Sequence, residues 1–265
     1  MDMIERVRAD NPGPMTLTGT NTWLVAGPTG TVVADPGPDL PEHLERILAA
    51  AGTIGAIVLT HRHHDHSDLA GPLATRTAAP VLAADAQLCR GASPSDPRAR
   101  RGALAAGAQL PGGLRVLTTP GHTDDSICLW HPASRSLLTG DTVLGQGSSV
   151  IAYPEGEVAA SLASLTALVD FAEQHDVQQL LPGHGEVVTE PVVRLRHDLA
   201  HRHERIDQVK AAVATGHRTV AEVTAVVHAG LDERLVGAAR ASIAAHLAHL
   251  EALDDTDPWL AGRAR

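Results

Sequence analysis

Short apolar runs separated by turn residues fill the first 190 or so positions, and longer runs with helical period fill the rest. Asn21–Ala26 and Thr31–Ala34 flank Gly27-Pro28-Thr29-Gly30 and predict a β-hairpin. The segment DLPEHLERILAAAG predicts a helix, with Asp39 as cap, Pro41 in its first turn and Gly52 at its end. Ile54–Thr60 reads as a buried strand running into THRHHDHS, after which Ser67 is placed to cap a short helix. Pro80–Ala83 predicts a strand, Ala84–Arg90 a helical stretch, and Gly91 to about Gly102 a loop rich in Gly, Ser, Pro and Arg. Leu114–Thr118, Ser126–Trp130, Ser136–Thr139 and Gln179–Leu181 are further short strands, and Leu162, Leu165, Leu168 and Val169 give Glu157–His175 a helical period. From about Pro191 the pattern is nearly all helix: His197–Ala214, Thr219–Val227 and Val236–Leu253, the second opened by the capping-box pattern Thr219-x-x-Glu222. The expected organisation is an α/β domain over residues 1–190 and a small helical domain over 191–265.

Composition narrows the class. Hydrophobic residues are 43% and charged residues 20% of 265, ordinary for a globular protein, but aromatics are only 2%, so Ala, Val and Leu must build the core. Cys89 and Cys128 are too few for a disulfide framework, the first residues lack the apolar stretch of a signal peptide, and no run is long enough for a membrane span. A cytoplasmic protein is expected. The net charge of −10 weighs against a general polyanion binder.

Sixteen histidines direct attention to where they cluster. Potential metal ligands stand after four separate apolar strands: His61, His63, Asp65 and His66 after the first, then His122, Asp141 and His184, each beside Gly or Thr. Strand ends converge on one rim of an α/β sheet, where sites are built, and imidazole and carboxylate suit zinc and other borderline divalent ions. Alternate residues of extended chain share a side, so His61 and His63 are expected to reach one metal with His122. Asp65 and His66, as the chain turns, reach a second with His184, and Asp141 is placed to bridge both. His64 breaks the alternation and falls outside the ligand set, as does Arg62.

HxHxDH, then Gly-His, Gly-Asp and Gly-His-Gly in this order resemble the metallo-β-lactamase superfamily over residues from about 20 to 190. The resemblance implies a four-layer αββα sandwich with a binuclear site at one edge. NPGPMTLTGTNTWLV, PGHTDD, GDTVLGQGSSV, PGHG and HRHERIDQV are similar, more narrowly, to the β-lactamase-like protein 2 group. That similarity implies a C-terminal winged-helix-like domain. It splits over substrate, since the group includes a mitochondrial single-strand endoribonuclease and related fungal enzymes hydrolyse acyl-carrier thioesters.

The expected chemistry is hydrolysis by a hydroxide that bridges two Zn²⁺, or other divalent ions, with the metals neutralising transition-state charge. Asp65 is expected to orient the hydroxide as well as bind metal, and no Gly-x-Ser-x-Gly elbow offers another nucleophile. The resemblance implies that true zinc β-lactamases lack the aspartate found here at Asp141 and are exported, and that flavodiiron members carry Glu at the position of His63; antibiotic hydrolysis and flavodiiron chemistry are disfavoured. The leading expectation is a phosphodiesterase of endoribonuclease type acting on single-stranded RNA. A thioester hydrolase of glyoxalase II type, acting on a small ester or thioester, is the alternative. Behind these stand an iron-dependent persulfide dioxygenase and a non-catalytic metal-stabilised interaction module.

Other features have two readings each. Asp124 and Asp125 either hydrogen-bond ligand imidazoles or serve as turn residues. His197, His201 and His203 share a helix with Arg194, Arg196, Arg202 and Arg205, either as a solvated or interdomain face or with the arginines turned to the active site to hold a phosphate or carboxylate. Past Thr219 the chain carries few basic residues, so no DNA binding is expected, and the helical domain is read as packing, cleft formation or a homodimer contact.

Overall fold

In a computed structural model, described over residues 3–89 and 103–253, two β-sheets stack face to face between layers of helices. Strands β1 (Ile4–Arg8), β2 (Asn21–Val25), β3 (Thr31–Ala34), β4 (Ile54–Val58) and β5 (Val81–Leu82) form one sheet in that order. Strands β6 (Arg115–Thr118), β7 (Ile127–His131), β8 (Ser136–Gly140) and β9 (Gln179–Pro182) form the other. The helices are α1 (Pro41–Ala51), α2 (His64–Ser67), α3 (Ala70–Thr77), α4 (Val158–Gln174), α5 (Pro191–Ala214), α6 (Val220–Val227) and α7 (Val236–Leu253).

The period-two alternation of strands explains the four layers. Trp23, Val25, Val32, Ala34 and Val58 point between the sheets, where they meet Val116, Ile127, Leu129, Leu138 and Leu181. Their neighbours Leu24, Val33 and Ile57 point the other way, against Ile47 of α1 and Leu73 of α3. In the second sheet Cys128, Trp130, Leu137 and Leu180 face outward onto Leu165, Leu168 and Leu195 of α4 and α5. Strands β2, β7 and β8 are buried along their whole length because each sheet is covered on both faces.

The predicted hairpin forms as the antiparallel pair β2–β3, and β4 returns parallel to β3 through α1. Several local expectations are corrected. Leu40, not Asp39, stands at the start of α1, and no side chain caps it. Ser67 does not open a helix: the chain is already helical from His64, and the Ser67 hydroxyl donates back to the Arg62 carbonyl at 3.0 Å. The described part of Ala84–Arg90 is turn, because the Asp85 carboxylate accepts the Gln87 amide at 2.8 Å and competes with a helical ladder. Arg90 and the predicted loop from Gly91 to Gly102 lie outside the described residues. Helix α5 begins at Pro191, ahead of His197, with proline in its first turn.

Helices α5–α7 have a small core of their own, Val209, Ala212, Val223, Ile243 and Leu247. Ile206 and Ala245 join Ile151 and Val158 of the α/β layers. The capping box of α6 forms, Thr219 Oγ1 accepting the Glu222 amide at 3.2 Å while the Glu222 carboxylate accepts the Thr219 amide at 2.9 Å. No strand follows β9 among the described residues, so the C-terminal region is seen as helices without the strands of a wing. No described helix is long and apolar enough to cross a membrane.

Candidate metal centre

The four ligand-bearing strand ends meet at one edge of the sandwich. β4 delivers His61, His63, Asp65 and His66; β6 leads to His122, β8 to Asp141 and β9 to His184. Close approach there requires glycine: a Cβ on Gly183 would lie 2.5 Å from His66 Cε1 and 2.6 Å from Asp141 Oδ1.

Three overlapping sets of ligand-type side chains meet here, one of them, Asp35 with His61 and His66, linking the other two. His61, His63 and His122 form one, with His63 Nδ1 3.1 Å from His61 Nε2 and 2.9 Å from His122 Nε2. Asp65, His66 and His184 form the other, with His184 Nε2 3.1 Å from His66 Nε2 and 3.1 Å from Asp65 Oδ2. Asp141 lies between them, 3.4 Å from His66, 3.5 Å from His184 and 3.8 Å from His122. Atoms about 2.0–2.1 Å from a tetrahedral metal stand roughly 3.3 Å from one another, the spacing found here.

Hydrogen bonds behind the imidazoles make the fit stricter. The Nδ1 atoms of His122 and His184 face the carbonyls of Val150 at 2.6 Å and Gly19 at 3.4 Å, and must donate to them. His66 Nδ1 donates to Asp35 Oδ2 at 2.9 Å. The Thr60 hydroxyl donates to the same oxygen at 2.7 Å, so it accepts from His61 Nδ1 at 3.1 Å. With Nδ1 of His61, His66, His122 and His184 engaged in this way, their Nε2 atoms turn towards the shared centre, an arrangement that a cation there satisfies. Buried Asp141 Oδ1 also lacks a hydrogen-bond partner. The residues fit bound divalent metal.

Charge shapes the cluster. Burial, reinforced by His66 and His122, holds the His61 imidazole well below the ordinary histidine range. Burial alone would raise the Asp141 carboxyl, but His184 and His66 outweigh it and hold it well below the usual carboxylate range. Burial would likewise lower His66, yet the Asp141 and Asp35 carboxylates raise it well above the ordinary value.

Asp35 is the functional residue that sequence reasoning missed. It is buried, follows β3 as the ligands follow their strands, and holds a left-handed backbone at φ 52°. Its carboxylate also accepts the Thr60 amide at 2.8 Å. The signal was present in Val33-Ala34-Asp35-Pro36-Gly37, an apolar strand ending in a carboxylate. His64 stands apart, solvent-exposed and paired with Asp68 at 2.9 Å. Arg62 pairs with Asp124 and, at 3.1 Å, with Asp125. These aspartates do not support the ligand imidazoles; they tie the loop of His122 to that of His61.

A profile of the Metallo-beta-lactamase superfamily matches residues 15–184. The chain belongs to that superfamily. Its members are metal-dependent hydrolases, and so is this chain. It is 30% identical over 269 residues to a beta-lactamase-like protein 2 homolog of Drosophila melanogaster, covering 93% of this chain and 87% of the relative. It is 26% identical over 253 residues to an atrochrysone carboxyl ACP thioesterase of Aspergillus novofumigatus, covering 84% and 70%. A metallo-beta-lactamase family protein of Thermus thermophilus has the same fold, with a TM-score of 0.78 and 22% identity over 96% of this chain and 95% of that one.

A cavity of about 310 Å³ opens beside His122 and Asp141, and helices α5–α7 roof it. Its walls join an aliphatic part, with Leu17, Leu144 and Leu235, to a polar part that includes Ser148, Arg202 and Arg205. Of the two readings of that arginine-bearing helix, the structure brings Arg202 and Arg205 to the cavity and leaves His197 outward.

Proposed function

We propose that this superfamily hydrolase cleaves a small acyl thioester or ester at a two-metal centre. The carrying observation is the cavity: about 310 Å³, with an aliphatic stretch of wall, and bordered by no Phe, Tyr or Trp among the described residues. Single-stranded nucleic acid is ordinarily gripped by stacking bases on aromatic rings along a basic groove, and a space this small, with an aliphatic side and no ring to stack on, suits a short acyl chain better. The likeness to a named thioesterase points the same way. The endoribonuclease reading gives way to its alternative on these grounds.

In this reading His61, His63 and His122 would hold one ion and Asp65, His66 and His184 the other, with Asp141 available to both sets; zinc suits the imidazole-rich set. When bound, such ions supply a water ionised near neutral pH and neutralise charge developing on the acyl oxygen. The chain's own residues do the rest. Asp35 and Thr60 fix the tautomers of His66 and His61, the Val150 and Gly19 carbonyls fix His122 and His184, and the aliphatic walls exclude bulk water from the acyl carbon. Asp65 is one-third exposed and orients the attacking water. A bond forms from the water's oxygen to the acyl carbon, the carbon–sulfur bond breaks, and the leaving sulfur takes a proton, giving acid and thiol. Residues up to about 190 supply the ligands and those from 191 the roof. Cys89 and Cys128 stay unpaired, in keeping with a cytoplasmic setting.

The test sets a short acyl thioester beside a short single-stranded RNA on protein loaded with zinc. Thioester cleavage without RNA cleavage is expected. RNA cleavage alone would reverse the assignment, and metal analysis giving other than two ions per chain would overturn the ligand division.

A further inference from the structure

The part of the cavity wall built by α5 and the loop after α6 carries polar atoms that the fold leaves without partners. Arg202 Nε, His201 Nδ1, His228 Nε2 and Ser148 Oγ are each buried and make no hydrogen bond, and all four residues border the cavity that reaches His122 and Asp141. Arg202 is only 5% exposed. One of its terminal nitrogens donates to the Ser149 carbonyl, and Arg205 gives one to the Val227 carbonyl at 3.3 Å. Neither guanidinium makes a direct ion pair among the described residues; Asp198, one turn before Arg202, pairs directly with Arg194 at 3.0 Å and supports the Arg202 charge only from further off. Burial lowers Arg202 only to about 10, so it remains charged at neutral pH.

Buried charge without a counter-ion is unfavourable, and buried donors without acceptors equally so. Two guanidiniums and two imidazoles around one small cavity suit an anion, the arginines supplying charge and the imidazoles, which burial holds towards their neutral form, hydrogen bonds. A guanidinium fork matches a carboxylate in shape as well as charge. Leu144, Leu231 and Leu235 supply an aliphatic lining in the same cavity, suited to methylenes.

We propose that Arg202 and Arg205, with His201 and His228, form an anion subsite for a carboxylate at the far end of the substrate's acyl chain, so that the preferred substrates are ω-carboxyacyl thioesters or esters. This rests on the acyl-hydrolase reading for the reaction, but the subsite can be tested apart from turnover.

Two measurements are made on zinc-loaded protein, with circular dichroism to verify folding. In the first, the N-acetylcysteamine thioesters of glutarate and pentanoate, equal in chain length, are compared by kcat/KM. A preference for the glutaryl compound of about tenfold or more is expected, and Arg205→Gln and Arg202→Gln should each cut that ratio about tenfold. In the second, glutarate and pentanoate are titrated calorimetrically. Each has one carboxylate for the metal centre, and only glutarate has a second, so it should bind about tenfold more tightly and lose that margin in Arg205→Gln. Arg205 is half-buried, so its variant carries the test if Arg202→Gln fails to fold. Equal binding of the two acids, or a margin untouched by Arg205→Gln, overturns the subsite. Tight glutarate binding without hydrolysis of either thioester keeps the subsite and refutes the acyl-hydrolase reading.

Discussion

Asp35→Asn isolates how the metal centre is held without removing any ligand. Asparagine is nearly isosteric with aspartate and tolerates the left-handed backbone found at φ 52°, so strain does not confuse the result. In the native site Oδ1 accepts the Thr60 amide at 2.8 Å, while Oδ2 accepts the Thr60 hydroxyl at 2.7 Å and His66 Nδ1 at 2.9 Å. With asparagine's oxygen toward the Thr60 amide, its NH₂ meets two donors. The hydroxyl can turn; the His66 Nδ1–H cannot. His66 then keeps a buried unsatisfied donor or moves its proton to Nε2, where it blocks metal binding. Losing one charge-assisted hydrogen bond of this kind costs about 1.5–3 kcal/mol, and loss of such support for a ligating histidine weakens metal affinity about 10–100-fold. Competition titration against a chelator should therefore show one of two binding steps weakened by that factor and the other, centred on His63 and His122, changed less. Affinities within about threefold of wild type at both steps would refute the claim that Asp35 sets the His66 tautomer.

Asp141→Ala removes the carboxylate between the two ligand groups and should lower kcat by at least about a hundredfold while thermal unfolding of the metal-free protein shifts little. Arg62→Ala should cost about 1–2 kcal/mol in denaturant unfolding, mostly from leaving the buried Asp125 without its cation, since the exposed pairing with Asp124 contributes little. Burial, helped by Arg46, lowers His43 to about 4, and burial lowers His246 to about 4. The unfolded chain therefore binds more protons than the fold between about pH 6.5 and 4, so the stability from these neutral imidazoles is full above that window and lost as pH falls through it, by about 3 kcal/mol for each. Urea titrations of metal-free protein across that range should show the decline, with a shallower slope in His246→Asn.

The fold was legible where alternation and punctuation agree. Val32, Val33 and Ala34 in succession, bounded by Gly30 and Pro36, fit a strand covered on both faces, and the structure divides them between two cores. Legibility failed where a local side chain overrode the period. Ala84–Arg90 has a helical spacing of small and apolar residues, but the Asp85 carboxylate captures the Gln87 amide and turns the chain. It failed also for β1, whose Glu5, Arg6 and Arg8 hide a strand at the sheet's edge, where polar residues are tolerated because only one neighbour pairs.

The site divides along a similar line. Residues that touch a common centre from different strand ends announce themselves in sequence: His122, Asp141 and His184 each follow a glycine, and at Gly183 the close approach demands it. Asp35 did not, since one carboxylate after one strand has many structural uses. Its role appears only when Thr60 and His66 are both seen to donate to it. The arginines were legible as a charged helix face but not as a receptor, because that meaning depends on subtraction: Asp198 lies four residues from Arg202 yet makes its direct ion pair with Arg194. Sequence spacing counts charges, whereas the fold decides which are spent on one another, and the charges left over beside the cavity are those that a substrate must answer.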